Sequence, residues 1–278
     1  MDASLARPRS IILASRNCKT NAGIPDVSAS APVTSAIILA AGVGRRLGPD
    51  QDGPKVLLKF GGESLLSRHL SALGRHGIEE ISITVGFQQE LIVAEVERLG
   101  WSGRVRFVQN PDYRKGSLLS LAVQEKALRA GRPLLLMDGD VLYDDRMISA
   151  LMDAAGENIL LLDREIEPGD EPVKICFRSD TIVDFRKVPE HAHDRYGESV
   201  GFFRLSPGMA ARLADRCAAH IAAGHLHLEY EEALRDLILA EPHRFAARDV
   251  TGLPWVEIDF PADVARARDE ILTQLQAA

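Results

Sequence analysis

Ala36-Ile-Ile-Leu-Ala-Ala-Gly-Val-Gly-Arg-Arg-Leu47, followed by Pro54-Lys55, decides the fold. The apolar run Ala36–Ala40 predicts a buried strand, and the glycines behind it predict a tight turn. Backbone N–H groups in such a turn can approach a polyphosphate while Arg45, Arg46 and Lys55 neutralise it. Two better-known phosphate loops are excluded. A P-loop needs G-x-x-x-x-G-K-[ST], and no Lys-Ser/Thr pair follows Gly42, Gly44 or Gly48. The dinucleotide fingerprint needs G-x-G-x-x-G, and Leu47 stands where its third glycine belongs.

Outward from that turn, strand and helix patterns alternate. Strands are predicted at Ala36–Ala40, Glu80–Val85, Val105–Val108 and Pro133–Met137, and helices at Ser64–His76, Gln88–Leu99 and Ser117–Ala130. Val56–Phe60 is read as a short extended segment. This rhythm implies an α/β fold with a mostly parallel sheet and helices on both faces. After about Ala155 the rhythm changes. Ile159–Leu162, Val173–Phe177, Thr181–Lys187 and Ser199–Leu205 read as strands, with a hairpin turn at Arg178-Ser179-Asp180. Helices follow at Pro207–Ala223, Glu229–Ala240 and Pro261–Leu275. The expected architecture is a Rossmann-like three-layer α/β/α sandwich with a mixed, mostly parallel central sheet and an added antiparallel substrate-binding subregion. No Gly/Pro/Ser linker divides it, so residues 35–278 read as one domain. Residues 1–34 read as a flexible leader.

Composition narrows the function. The chain has 278 residues, 46% of them hydrophobic, and a formal net charge of −7, which argues against a broad nucleic-acid-binding surface. Cys18, Cys176 and Cys217 form neither a disulfide framework nor a zinc pattern and suit a cytoplasmic protein. No apolar run reaches membrane-spanning length. A homodimer is compatible with the sequence but not indicated by it.

In open α/β sheets ligands bind beyond the carboxyl ends of the strands. Three segments meet that condition: Gly42–Arg46, Gln109-Asn110-Pro111 and Asp138-Gly139-Asp140. Carboxylates at a strand end are hard oxygen ligands that suit Mg²⁺ beside phosphates. Asp140 is the better ligand candidate and Asp138 the brace of the turn. Far along the chain, Trp255-Val-Glu257-Ile-Asp259 would put two carboxylates on one face of a strand, where a shared cation explains the pair. His191 and His193, and His225 and His227, read as surface histidines. Trp255, Tyr230, Phe202 and Phe203 read as core rather than as an aromatic cage for a quaternary ammonium.

Taken in order, Leu39-Ala40-Ala41-Gly42-x-Gly44-x-Arg46-Leu47, Pro54-Lys55, Asp138-Gly-Asp140 and Glu257-x-Asp259 resemble the nucleotidyltransferase superfamily. Asn110-Pro-Asp-Tyr113 with Gly116-Ser117-x-x-Ser120-Leu121, Glu198-Ser-Val-Gly201-Phe-Phe203 and Glu229-Tyr-Glu231-Glu232-Ala-Leu234 are similar to its CTP-dependent branch. That branch activates phosphocholine, 2-aminoethylphosphonate or inositol-1-phosphate. Asp163-Arg164 with Lys174 is similar to the inositol phosphate members. Val43 and Ser117 depart from the pattern, where many members have lysine and asparagine.

The resemblance implies a Mg²⁺-dependent transfer of CMP from CTP to a small phosphorylated or phosphonate acceptor. Arg46 and the Ala41–Arg45 backbone would hold the β- and γ-phosphates. Lys55 would meet the α-phosphate or the acceptor, and Lys174 would be a second acceptor-side cation. Asp140 and Asp259, with Glu257, would hold the metal. Leu39, Ala40, Asn110, Gly116, Ser117, Ser120 and Asp138 fall to the nucleotide, and Asp163, Glu198, Glu231 and Trp255 to the acceptor. The alternatives are a sugar-1-phosphate enzyme using UTP, dTTP or GTP, a non-catalytic nucleotide-binding regulatory module and, weaker still, an NAD-dependent oxidoreductase.

Overall fold

A computed structural model describes residues 32–48, 53–166 and 171–277. The leader expected over residues 1–34 lies outside them except at its last positions. In chain order the strands are β1 (Ser35–Leu39), β2 (Lys59–Phe60), β3 (Glu63–Ser64), β4 (Glu80–Val85), β5 (Val105–Gln109), β6 (Leu134–Asp138) and β7 (Val141–Tyr143). They continue with β8 (Asn158–Asp163), β9 (Lys174–Arg178), β10 (Thr181–Arg186), β11 (Arg195–Leu205), β12 (Phe245–Asp249) and β13 (Trp255–Glu257). The helices are α1 (Leu65–Arg75), α2 (Gln89–Arg98), α3 (Ser117–Ala122), α4 (Glu125–Leu128), α5 (Arg146–Asp153), α6 (Pro207–Ala222), α7 (Tyr230–Ala240), α8 (Pro261–Arg266) and α9 (Leu272–Ala277).

β1 is central because it is apolar on both faces. It pairs in parallel with β4 on one side and β6 on the other, and β5 extends the sheet beyond β4. Alternation sends Ala36 and Ile38 into one core with α1, α2 and α5, and Ile37 and Leu39 into a second core with α3, α6 and α7. That is the predicted three-layer sandwich. Local chemistry fixes the helix starts. Ser64 caps α1 by accepting the Ser67 N–H at 3.0 Å, and Ser206-Pro207 opens α6.

β11 turns the parallel sheet into a mixed one. Its second half pairs antiparallel with β6, its first half with β9, and residues of both halves with β8; β9 forms a hairpin with β10. This is the predicted antiparallel subregion. The bend falls at Gly201 (φ +77°), where an added Cβ would lie 2.2 Å from Asp138 Oδ2. Only glycine fits there. None of the helices among the described residues is long and apolar enough to cross a membrane.

Several predicted elements need correction. Ser117–Ala130 is not one helix but α3 and α4; Gln124 between them is buried, accepting from Ser82 Oγ and donating to Thr84 Oγ1. Pro261–Leu275 is interrupted by a π-helical segment, Ala267–Ile271, whose two end residues pack in a third core cluster. Val56–Phe60 is a 3₁₀ turn at Lys55–Leu57 followed by β2. β7, β12 and α5 were not predicted, and the strand carrying Glu257 ends at that residue. Cys176 and Cys217 are both buried.

Candidate active site at the strand carboxyl ends

Two adjoining cavities, about 300 and 210 Å³, open at the carboxyl ends of β1 and β6 and share Leu39, Gly42, Arg46, Asp140 and Asp259. The turn after β1 wraps the smaller one. Gly44 is left-handed (φ +66°), and an added Cβ would sit 3.1 Å from Lys55 Cγ. That glycine lets the turn lie on the lysine stem. Gly139 is equally constrained. Its N–H donates to Leu39 O at 3.0 Å, and a Cβ would come within 2.7 Å of that same oxygen. The Asp138-Gly-Asp140 turn is thereby laid against the end of β1.

Lys55 is the hub. Its Nζ lies 2.8 Å from Asp140 Oδ2 and 2.6 Å from Asp259 Oδ1. Burial alone would lower its pKa, but the two carboxylates reverse that and hold it above the usual lysine value. Arg46 Nη1 reaches Asp259 Oδ2 and Glu171 Oε2, both at 3.0 Å, and its guanidinium lies over the Phe260 ring. Asp259 is held below the usual carboxylate range: burial raises it, and Lys55 and Arg46 more than compensate.

Glu257 completes an acidic triad. β13 pairs with β7 so that Glu257 faces Val141, and Ile258 N donates to Asp140 O at 2.9 Å. Ligand atoms of Asp140, Glu257 and Asp259 lie within 4.8 Å of one another. Burial, then the charges of Asp140 and Asp259, push the Glu257 carboxyl well above its usual pKa. Three converging carboxylates beside cationic groups fit a hard divalent cation. Among the described residues no other set of three or more His, Cys, Asp or Glu side chains converges in this way.

Of the predicted nucleotide residues, Leu39, Ala41, Gly42, Ser117, Ser120 and Asp138 line the larger cavity, and Ala40, Gly44 and Arg45 line the smaller. Asn110 and Gly116 do neither. Asn110 is buried and donates to Ser120 Oγ at 3.0 Å. Gly116 packs so closely on Leu228 O that a Cβ would lie 1.9 Å away. Both brace the wall rather than form it.

The acceptor-side predictions fare differently. Glu231 lines the cavity, but Asp163, Glu198, Trp255 and Lys174 do not. Trp255 Nε1 donates to Asp163 Oδ2 at 2.7 Å in the buried wall behind it. Glu198, opposite Asp163 in the β11–β8 ladder, is also buried; burial and the Asp163 charge push its carboxyl up to about 7. Lys174 Nζ donates to Lys187 O at 2.8 Å and Pro172 O at 3.3 Å. On that side Lys187 lines the cavity instead, just past the end of β10, with Nζ 3.1 Å from Glu171 Oε2 and 3.4 Å from Glu229. Tyr113, Lys115, Ser199, Glu229 and Tyr230 also line it without having been predicted. Tyr230 OH donates to Asp138 Oδ2 at 2.7 Å. The position of Tyr230 and Glu231 is set by Arg235 on the same helix, whose Nε lies 2.6 Å from the fully buried Asp184 of β10.

His69 supports the acidic turn from below. It is fully buried, and its Nε2–H donates to Gly139 O at 3.1 Å. Burial lowers its pKa to about 4. Between pH 6.5 and 4 the unfolded chain therefore takes up a proton that the folded one refuses, so stability falls as pH drops through that window. The difference is on the order of 3 kcal/mol at most. Comparing unfolding midpoints of the parent and His69→Gln from pH 7.5 to 4.5 should give a shallower acid slope in the variant; parallel slopes would contradict it.

Comparisons with known proteins bear on the family and the fold. The model of a family described as "MobA-like NTP transferase domain" matches residues 36–201, from β1 to the bend of β11. A "Bifunctional IPC transferase and DIPP synthase" of Rubrobacter xylanophilus is 27% identical over 242 residues, 85% of this chain and 52% of that protein. A "CMP-5'-(3-aminopropyl)phosphonate synthase" of Streptomyces rubellomurinus is 26% identical over 243 residues, 84% of this chain and 38% of that protein. The chain thus spans about half of the first relative's length and less of the second's. The solved inositol-1-phosphate CTP transferase from T. maritima shares the fold, with a TM-score of 0.69 at 19% identity over 89% of this chain and 96% of that one. Because the family match takes in more than half of the sequence, including the glycine turn and the acidic turn that build the cleft, this chain belongs to the family of MobA-like NTP transferase domains.

Proposed function

We propose that this chain transfers CMP from CTP to a small phosphorylated or phosphonate acceptor, with Mg²⁺, releasing pyrophosphate, and that residues 35–278 act as one nucleotidyltransferase domain. The observation that carries it is Lys55, held by Asp140 and Asp259 at the lip of a glycine turn that also presents Arg46. The names of the two relatives, one a CMP–phosphonate synthase, support the choice of CTP and of the acceptor class.

In this reaction an acceptor oxyanion forms a new bond to the α-phosphorus while the bond to the departing pyrophosphate breaks. The acceptor is already ionised, so the protein needs no strong general base; positioning and charge neutralisation suffice. Backbone N–H groups of Ala41–Arg45 and the Arg46 guanidinium hold the β- and γ-phosphates. Lys55 neutralises charge at the α-phosphate. Asp140 and Asp259, with Glu257, would hold the Mg²⁺, which would supply positive charge to the phosphates. Ser117 and Ser120 border the nucleoside. Lys187, rather than Lys174, serves as the acceptor-side cation.

Incubating the protein with CTP, UTP, dTTP or GTP and an acceptor panel, and reading pyrophosphate, tests this. CTP is expected to support turnover at least about tenfold above the others, the discrimination that about 1.4 kcal/mol provides. A preference for UTP, dTTP or GTP with a sugar-1-phosphate would replace CTP transfer by the sugar-nucleotide reaction, and nucleotide binding without pyrophosphate release would replace it by a regulatory module.

A further inference from the structure

The end of α6 carries a pair of imidazoles that the transfer reaction does not use. Gly224 takes a left-handed conformation (φ +81°) just past the helix, and two backbone bonds close the turn around it. The Gly224 N–H donates to Ile221 O at 2.9 Å, and the His225 N–H donates back to His220 O at 3.0 Å. In such a glycine-ended cap the residue after the glycine meets one in the last helical turn, ordinarily in an apolar contact. Here both positions are histidine. His220 Nδ1 and His225 Nδ1 lie 3.3 Å apart.

The other nitrogen of His220 is committed. Its Nε2 lies 3.0 Å from Asp236 Oδ2 on α7, an oxygen that Arg216 Nε also approaches at 3.7 Å. A carboxylate only accepts, so Nε2 carries the ring proton and the neutral ring turns the Nδ1 lone pair toward His225. A carboxylate behind a histidine is the arrangement that orients metal-ligating imidazoles. The Nδ1 separation agrees. Two Zn–N bonds of about 2.0–2.1 Å at the tetrahedral angle put their nitrogens about 3.3 Å apart. As a hydrogen bond between two rings, that distance is long.

We propose that His220 and His225 bind a divalent transition-metal ion such as Zn²⁺ through their Nδ1 atoms, with Asp236 holding His220 in the ligating tautomer. Imidazole nitrogen suits Zn²⁺, Ni²⁺ and Cu²⁺, whereas Mg²⁺ takes oxygen, so this pair is chemically distinct from the carboxylate triad. His220 is held in place by α7, and His225 is exposed, so an ion can arrive from solvent and keep water at its remaining positions. The ion would fasten the end of α6 to the segment leading into α7. That segment supports the nucleotide wall: the Gly116 N–H donates to Leu226 O and the Leu118 N–H to Leu228 O, both at 3.1 Å. Metal at the histidine pair would therefore stiffen the cavity from behind without entering it.

The test is equilibrium dialysis of Zn²⁺ against the full chain, without a histidine tag and in excess Mg²⁺. An ion should bind with a Kd on the order of 10⁻⁴–10⁻⁶ M, about half the binding free energy of four-ligand zinc sites. His225→Ala should weaken that Kd by about tenfold or more, and Asp236→Asn by about 10–100-fold, the scale for losing the carboxylate behind a ligating histidine. His227→Ala and Asp140→Asn should leave it within about twofold. X-ray absorption on the unaltered zinc-loaded protein should show two imidazole nitrogens at about 2.0–2.1 Å. Zinc uptake unchanged by His225→Ala, uptake lost in Asp140→Asn instead, or an all-oxygen shell would overturn the histidine site and leave CMP transfer standing. The absorption spectrum decides the matter even if a variant fails to fold.

Discussion

Lys55→Ala is expected to lower kcat/KM for CMP transfer by roughly 10²–10³, the scale for deleting one donor aimed at charge in a transition state. The reason is geometric. The ammonium sits 2.6 and 2.8 Å from two carboxylates that lie far apart in the sequence, and its stem lies under Gly44. Water cannot supply the missing positive charge, and no other lysine or arginine among the described residues is placed on Asp140. The loss should fall mainly on kcat, because the proposed contact to the α-phosphate would strengthen as charge shifts toward the leaving group. A second readout separates catalysis from folding. Without Lys55, Asp140, Glu257 and Asp259 face one another with less positive charge between them. Mg²⁺ should then raise the unfolding midpoint of the variant more than that of the parent. A near-parental rate would remove Lys55 from the reaction, and an equal Mg²⁺ response would remove the triad as its ion site.

Asp140→Asn should be as damaging, for a different reason. The substitution keeps size and shape but removes one of three carboxyl groups converging within 4.8 Å. Hard divalent cations depend on that charge, so the Mg²⁺ concentration for half-maximal rate should rise by about tenfold or more. Turnover at saturating metal should still fall by roughly 10² or more, since in the proposed reaction charge neutralisation by the metal would be a large share of the barrier reduction. Lys55 also loses one of its two partners. Asp138→Asn, two residues away, should leave the metal curve close to the parent's, because Asp138 is held by Tyr230 OH and lies outside the converging triad. Superimposable metal titrations of the Asp140 variant and the parent would put the ion elsewhere.

What the sequence made legible depended on local signals. The strand–turn Ala36–Leu47 and the Asp138-Gly-Asp140 turn announce themselves through apolar runs that end in glycine and charge, and the rule that ligands bind past strand ends brought them together. Glu257 and Asp259 were paired by strand alternation, yet the strand stops at Glu257, and Asp259 reaches the site through the chain that follows it. The acceptor side was read less well because its side chains are sorted by long-range register. Nothing near Lys174 says that its ammonium turns to the Lys187 carbonyl, or that Asp163 and Glu198 meet across the β11–β8 ladder behind the cavity. Lys187 has no motif that separates it from a surface lysine at a strand end. β7 and β12 escaped notice for the same kind of reason. One is three residues long, and the other, Phe-Ala-Ala-Arg-Asp, lacks the branched residues and alternation that mark a strand.

The most direct measurement is a crystal structure with Mg²⁺ and a CTP analogue that cannot be cleaved at the α-phosphorus. It should place the triphosphate against the Ala41–Arg45 backbone and Arg46, the ion on Asp140 and Asp259, and the Lys55 ammonium turned from those carboxylates to a phosphate oxygen. A nucleotide seated away from the glycine turn, or an ion bound without either carboxylate while Lys55 stays between them, would contradict the proposed mechanism.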